Sequence, residues 1–374
     1  MPLILRRLLV ALSFVAGLAA AQEAPLATGP HAAPACRIAF DMGSSGIRAG
    51  ASDSERSARR ELDALGPLWA GQGIASIEPA VIRALRELPA EAALDDTCRK
   101  VGGGFSAWRL ALEQDPAGLV ASLRRIDAAA GVTVLVMPPA REGSYGFFAV
   151  RQTLGRRFAT SHALDIGGGS LQVAGERQSF AAALGQKSWH RLLCERLRNS
   201  TAVPCALQPM DDRDLTRARA LLAVRLAGNG LPADTTMTAI SRPVTRGVAP
   251  AVRHLDAGSE RQPDVLLGRD VTRAIAQLAG LDLAATMART QAPPGHAAFL
   301  LSDLILVEGL LALSADRRLR IAEADFTNLP GLLADDRAFA WHDRYACYLQ
   351  RLQEQGIAAY ASDPASCPAA GAPH

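Results

Sequence analysis

Lysine is nearly missing from this chain: of 40 basic residues only Lys100 and Lys187 are lysines, and the other 38 are arginines. A surplus of one charge is missing too, since 40 basic against 37 acidic residues leaves +3. General nucleic-acid binders carry a strong basic excess, so that class is excluded and any anion site must be local. No two cysteines stand in a CxxC pair, which removes zinc-ribbon and thioredoxin-type motifs. The seven histidines, His162 and His190 among them, show no metal-ligand spacing. Past the first 21 residues no run reaches 18 uninterrupted apolar positions, so no stable membrane span is expected after the leader is removed. What is present is apolar bulk. With 49% hydrophobic and 21% charged residues the chain can bury a core, which excludes disordered and collagen-like classes. Its 374 residues suffice for two domains at about 150 residues each.

The first 21 residues have the grammar of a secretory signal peptide: Arg6 and Arg7, an apolar run from Leu8 to Ala20, and Ala19-Ala20-Ala21 before Gln22. Cleavage there predicts a periplasmic or secreted protein with a Pro/Ala/Gly-rich lead over residues 22–36. All six cysteines, Cys36, Cys98, Cys194, Cys205, Cys347 and Cys367, lie beyond the leader, and an even number in an exported chain predicts disulfides. Nearness in sequence favours Cys194 with Cys205 and Cys347 with Cys367, leaving Cys36 with Cys98. About 15 connectivities stay open on sequence alone.

Arg37 to Phe40 reads as a strand running into Asp41-Met42-Gly43-Ser44-Ser45-Gly46, with a second strand over Ile47 to Ala51. The same pattern recurs 124 residues later: Ala163-Leu164, then Asp165-Ile166-Gly167-Gly168-Gly169-Ser170, then Leu171 to Ala174. Between the two units lie helical patterns over Glu78 to Leu88, Ser106 to Gln114, Gly118 to Ala130 and Arg141 to Leu154, and a buried-strand pattern over Val132 to Val136. Alternating strands and helices predict an α/β fold. From about Ser188 the chain turns mostly helical, most clearly over Asp212 to Leu226, Asp270 to Thr286 and Phe299 to Leu313, with a late strand over Ile321 to Asp325. Trp108, Trp189 and the Phe147-Phe148 pair read as core aromatics.

A Gly/Ser turn after a strand lets successive backbone N–H groups point at one anion, and an adjacent Asp can hold a cation that bridges phosphate oxygens. One such turn means little, but two, each opened by Asp and each leading into a second strand, could hold one ligand's phosphates from both sides. The dinucleotide fingerprint fails here, because neither turn leads into the helix of a βαβ unit.

Phe40 to Arg48 and Leu164 to Ser170 resemble the two phosphate motifs of the actin, sugar kinase and chaperone ATPase superfamily. More narrowly, Ser106-Ala107-Trp108-Arg109, Glu142-Gly143 opening a helix that ends Phe148-Ala149-Val150, and Ser302-Asp303 in a late apolar helix resemble the exopolyphosphatase / guanosine pentaphosphate phosphohydrolase (Ppx/GppA) family. The resemblance covers roughly residues 37 to 335. It implies two ATPase-like (ribonuclease H-like) α/β domains, over 37–160 and 161–335, with the active site in the cleft between them and a C-terminal helix and disulfide-tied tail over 336–374. It places Glu142 on the family's catalytic Glu, Asp165 on its metal- and water-binding Asp, and Arg48 and Arg109 near the phosphate chain. The cradle falls on Asp41, Gly43, Ser44, Ser45, Gly46, Gly167, Gly168, Gly169 and Ser170. Gln172 departs from the usual Glu, Phe105 from Thr and Ser45 from Asn, and the segment expected to be glycine-rich reads Ser241-Arg242-Pro243-Val244-Thr245-Arg246.

The chemistry can be built from the residues alone. Hydrolysis of a phosphoanhydride needs charge neutralisation on the transferred phosphoryl, a metal bridging its oxygens, and a base that orients water. Arginines supply forked bonds to phosphate, the Asp41 and Asp165 carboxylates suit Mg²⁺, and Glu142 is the candidate base. Asp303 reads as a structural carboxylate. His342-Asp343 matches the dipeptide of HD phosphohydrolases, but too few residues follow for that helical domain, so none is expected. The expected function is an exported exopolyphosphatase-type hydrolase acting on inorganic polyphosphate or a related polyphosphorylated molecule, with no nucleic-acid partner and with a homodimer left open. The alternative is a binding protein on the same fold with weakened turnover, because an amide at Gln172 removes a carboxylate that could help hold a second cation.

Overall fold

The structure, a computed structural model, describes residues 36–256, 264–324 and 326–368; the expected leader and nearly all of the lead lie outside the described residues, as does Asp325. Strands β1 (Arg37–Gly43) and β2 (Gly46–Ala51) form a hairpin closed by Ser44-Ser45, and β3 (Ser54–Glu61) adds a third antiparallel strand. Helices α1 (Leu65–Trp69) and α2 (Glu78–Glu91) lead to β4 (Arg99–Gly104), and α3 (Ser106–Gln114) and α4 (Pro116–Ala130) lead to β5 (Thr133–Val136). The first sheet has the order β3-β2-β1-β4-β5, with β1, β4 and β5 parallel. Helix α4 illustrates the local logic. Asp115 caps Gly118 N–H at 2.9 Å, Pro116 takes the first turn where no donor is needed, and Gly131 ends the helix at φ 64°.

Helix α5 (Pro139–Leu154) then crosses to the second sheet. That sheet is built from β6 (His162–Ile166), β7 (Leu171–Gly175), β8 (Ser179–Ala182), β9 (Met237–Ala239), β10 (Val265–Leu267) and β11 (Arg318–Ile321). Its order, β8-β7-β6-β9-β11-β10, repeats that of the first sheet with one added edge strand. The recurrence seen in sequence is therefore a recurrence of topology. Its helices are α6 (Gln186–Arg198), α7 (Asp212–Leu226), α8 (Ala249–Leu255), α9 (Gly268–Leu278), α10 (Leu283–Thr290) and α11 (Pro294–Leu311). The pattern over Asp270 to Thr286 predicts one helix, but the chain breaks it into α9 and α10, because Asp282 caps a new start by accepting from Ala285 N–H at 2.7 Å. The late strand lies over Arg318–Ile321 instead of Ile321 to Asp325.

Two cores result. Beside its own strands and helices, the first contains Leu329 and Leu332 of α12 (Leu329–Leu333), Phe339 and Trp341 of α13 (Asp336–His342), Tyr348 and Leu352 of α14 (Tyr345–Gln355), and Tyr360. Among the described residues, buried side chains from Leu329 to Cys367 pack into the first core, so the expected boundary between 335 and 336 falls inside a stretch that returns to the first domain. The second core centres on Leu164, Val173 and Trp189, packed against α11. Helix α11 is the one described helix long and apolar enough to cross a membrane, and two-thirds of it is buried in this core. Trp108 and Trp189 are fully buried, whereas Phe147 and Phe148 are half-buried. Three disulfides, Cys36–Cys98, Cys194–Cys205 and Cys347–Cys367, use all six cysteines in the pairing favoured by sequence nearness.

Candidate active site

The two Asp-led turns face each other. The first is positioned by the β1–β2 hairpin, in which Asp41 pairs with Arg48 and Gly43 with Gly46. The carbonyls of Ser44 and Ser45 accept from Ala64 and Leu62 N–H at 3.1 and 3.3 Å. The second turn, Gly167 to Ser170, joins β6 to β7 and is closed by Gly167 N–H donating to Ser170 O at 2.8 Å. Helix α6 begins directly beneath it. Its first amides, from Gln186, Lys187 and Ser188, donate to the carbonyls of Gly167 and Gly168 at 2.8–3.1 Å. With carbonyls tied back on both sides, the N–H groups of Ser44, Ser45, Gly168 and Gly169 make no hydrogen bond to another group among the described residues. Such free amides are what an anion requires. The turns nearly touch, since a Cβ on Gly168 would stand 2.3 Å from Ser44 Oγ and 3.4 Å from Ser45 Oγ.

Between the domains lies a cleft of about 340 Å³. Of the residues singled out in sequence, Asp41, Gly43, Ser44, Ser45, Gly46, Arg48, Glu142, Asp165, Gly167 and Gly168 line it. Three others do not. Arg109, expected beside phosphate, is buried behind the cleft, where it donates to Met137 O at 2.9 Å, Glu142 Oε2 at 2.8 Å and Ser170 Oγ at 3.0 Å. Ser170 accepts that bond with its side chain buried, and Gly169 packs toward Ser106 and Leu65. Gln172, weighed in sequence as a lost cation ligand, also lies outside the cleft wall, with Nε2 donating to Glu142 Oε2 at 3.0 Å.

Burial and mutual repulsion govern the carboxylates. Asp41, with Oδ2 accepting from Asn328 N–H at 3.1 Å, is pushed up to about 6 by burial, partly offset by that bond and by Arg48 and Arg59, while Glu142 pushes it further up. Burial, then the charges of Glu142 and Asp41, push Asp165 up to about 7. Asp41 and Asp165, both raised by burial and by the neighbouring charge of Glu142, form a donor pair suited to a hard divalent cation, whose charge would relieve them.

Several cleft residues escaped the sequence reading. Arg59 lies opposite Arg48 across the β2–β3 pair, so Asp41, Arg48 and Arg59 form a row across three strands. Its Nη2 donates to Ser45 O at 3.3 Å and Glu61 Oε2 at 3.0 Å. The clue lay in β3, a strand polar except for Ala58, whose alternation carries little apolar signal. Asp303, read as structural, lines the cleft from α11. Gln186 donates to its Oδ2 at 2.5 Å, its Oδ1 has no partner, and burial pushes it up to about 8. The six aliphatic side chains buried around it, Leu300, Leu301, Leu304, Ile305, Leu306 and Val307, contribute on the order of 10 kcal/mol. That outweighs the few kcal/mol, roughly, of one buried carboxyl. Arg242, His296 and Asn328 complete the far wall.

Fold and cleft together define a two-domain α/β protein in which two β-hairpin turns and the carboxyl groups of Asp41, Glu142 and Asp165 face one cleft. No protein-family model and no curated protein sequence matches the chain. Solved structures do, and they place the chain in the Ppx/GppA fold. A Ppx/GppA family member from Aquifex aeolicus is 18% identical with a TM-score of 0.61, over 80% of this chain and 96% of that one. An exopolyphosphatase from Cytophaga hutchinsonii is 16% identical with a TM-score of 0.58, again over 80% and 96%. An exopolyphosphatase-like protein is 15% identical with a TM-score of 0.59, over 80% and 98%.

Proposed function

We propose that this protein is an exported phosphoanhydride hydrolase that releases terminal phosphate from inorganic polyphosphate or a similar polyphosphorylated molecule. The observation that carries the reading is the meeting of the two turns, Ser44-Ser45 and Gly167-Gly168, across a cleft that also holds Asp41, Glu142 and Asp165. The free turn amides bind the terminal phosphate from both sides, and Arg48 and Arg59 offer forked donors to the oxygens of the following units. Asp41 and Asp165 would hold Mg²⁺, which supplies neutralisation of the phosphoryl oxygens. Glu142, with Oε2 already taken by Arg109 and Gln172, keeps Oε1 to accept a proton from water and aim it at phosphorus.

Titrated release of phosphate from long-chain polyphosphate with Mg²⁺ tests the proposal. Glu142→Gln should lower turnover by about 10²- to 10⁴-fold with binding retained, the usual worth of a positioned base. Activity indifferent to that change would assign the base elsewhere, and binding without release in the parent would leave a polyphosphate-binding protein. Export is supported by the three disulfides and by the leader pattern; an exported form with a mass beginning before Gln22 would contradict the cleavage.

A further inference from the structure

Glu142 is gripped from the side away from the cleft. Arg109 Nη2 and Gln172 Nε2 both end on its Oε2, at 2.8 and 3.0 Å. The same two donors meet again on Ser170 Oγ, at 3.0 and 2.9 Å. All four side chains are buried, Gln172 most of all at 1% exposure. A carboxylate only accepts, so the amide nitrogen of Gln172 must face Glu142, and this fixes the amide's orientation. The consequence is that Gln172 Oε1 is buried with no partner. A residue kept for packing alone would not carry that cost, which methionine of similar volume avoids. The two groups also sit on different elements, Glu142 on α5 and Gln172 on β7 opposite Asp165. They can meet because residue 143 is glycine: a Cβ there would stand 3.1 Å from Ala174 Cβ and 3.3 Å from Gln172 Cβ.

We propose that Gln172 is a positioning residue, which by holding Oε2 from β7 turns Oε1 of Glu142 toward the cleft. This rests on the reading of Glu142 as the group that orients water. It also changes what the amide means in this chain: an ionised carboxylate at position 172 could not donate to Oε2 of Glu142.

Steady-state phosphate release from long-chain polyphosphate with Mg²⁺ is measured for the parent, Gln172→Met, Gln172→Glu, Glu142→Gln and the double variant Gln172→Met/Glu142→Gln. The expected result for Gln172→Met is a kcat lower by about tenfold, the worth of one hydrogen bond to a charged group, with KM unchanged. Gln172→Glu should fall at least as far. In the Glu142→Gln background, Gln172→Met should cost nothing more, because the two act as one unit. Equal losses in both backgrounds, or a change confined to KM, would overturn the proposal, with melting curves confirming that each variant is folded. Should the parent release no phosphate from any phosphoanhydride, the catalytic reading fails by itself. Crystal structures of parent and Gln172→Met then decide the positioning role, and an unmoved Glu142 carboxylate in the variant would refute it.

Discussion

Gly168→Ala adds one methyl group at the point where the two turns meet. The backbone at Gly168 needs no glycine conformation, so contact alone decides the outcome. The new Cβ would stand 2.3 Å from Ser44 Oγ and 3.4 Å from Ser44 Cβ, against roughly 3.5 Å for a relaxed non-bonded contact. Relief requires the turns to part by about 1 Å, and a displacement of that size near reacting groups costs about 10²-fold in rate. The assay is phosphate release from polyphosphate, paired with calorimetric binding of the same polymer. Both should weaken, because the amides that bracket the terminal phosphate move apart. Ser44→Ala removes the nearest atom, so the double variant Gly168→Ala/Ser44→Ala should recover most of the loss. Gly280→Ala, which has open space around its Cβ, serves as the control for an added methyl. Parent-like activity and binding in Gly168→Ala would refute the argument, since it would mean that the Ser44 hydroxyl turns aside at no cost.

The remaining expectations concern pH and covalent restraint. Asp41, Asp165 and Asp303 are pushed up to about 6, 7 and 8 in the folded protein, whereas an unfolded Asp titrates near 4. The folded state therefore binds more protons between about pH 4 and 8, and stability should fall as pH rises through that window. Mg²⁺ should raise the melting temperature more at pH 8 than at pH 5; a shift independent of pH would exclude these carboxylates as its ligands. Cys347→Ser opens a loop with a sequence separation of 20 and should cost about 3 kcal/mol by chain entropy, read as a lower denaturant midpoint.

Much of the site was legible because its signals are local. Each turn is a stretch of six consecutive residues whose glycines, serines and opening Asp carry their meaning without tertiary context. What lies across the chain was hidden. Strand β3 offers only Ala58 as an apolar signal, so Arg59 could not be placed opposite Arg48 before the sheet was known. Arg109 and Glu142 are 33 residues apart, and only the packing of α3, α5 and β7 shows that the guanidinium donates to the carboxylate. Asp303 misled for a related reason: an apolar helix argues for a structural carboxylate, and only the cleft reveals that one of its oxygens is left open. The return of the chain after Leu329 was obscured because its apolar residues could have served either core.

The two domains are joined by two crossings, α5 and the stretch leading into α12, and these crossings touch. A Cβ on Gly331 would fall 2.4 Å from Tyr145 Cα, so at that point α12 rests directly on the backbone of α5. Tyr145 is tied there by its hydroxyl to Asp335 at 2.7 Å, and Tyr360 reaches the same carboxylate at 2.6 Å. Two connectors clamped at one place act as a pivot for any rotation of one domain against the other. Displacement in a rotation grows with distance from the pivot, and Glu142 lies one helical turn from Tyr145. The helix that carries the Glu142 carboxylate is therefore anchored, one turn further along, at the place where the returning chain is anchored too.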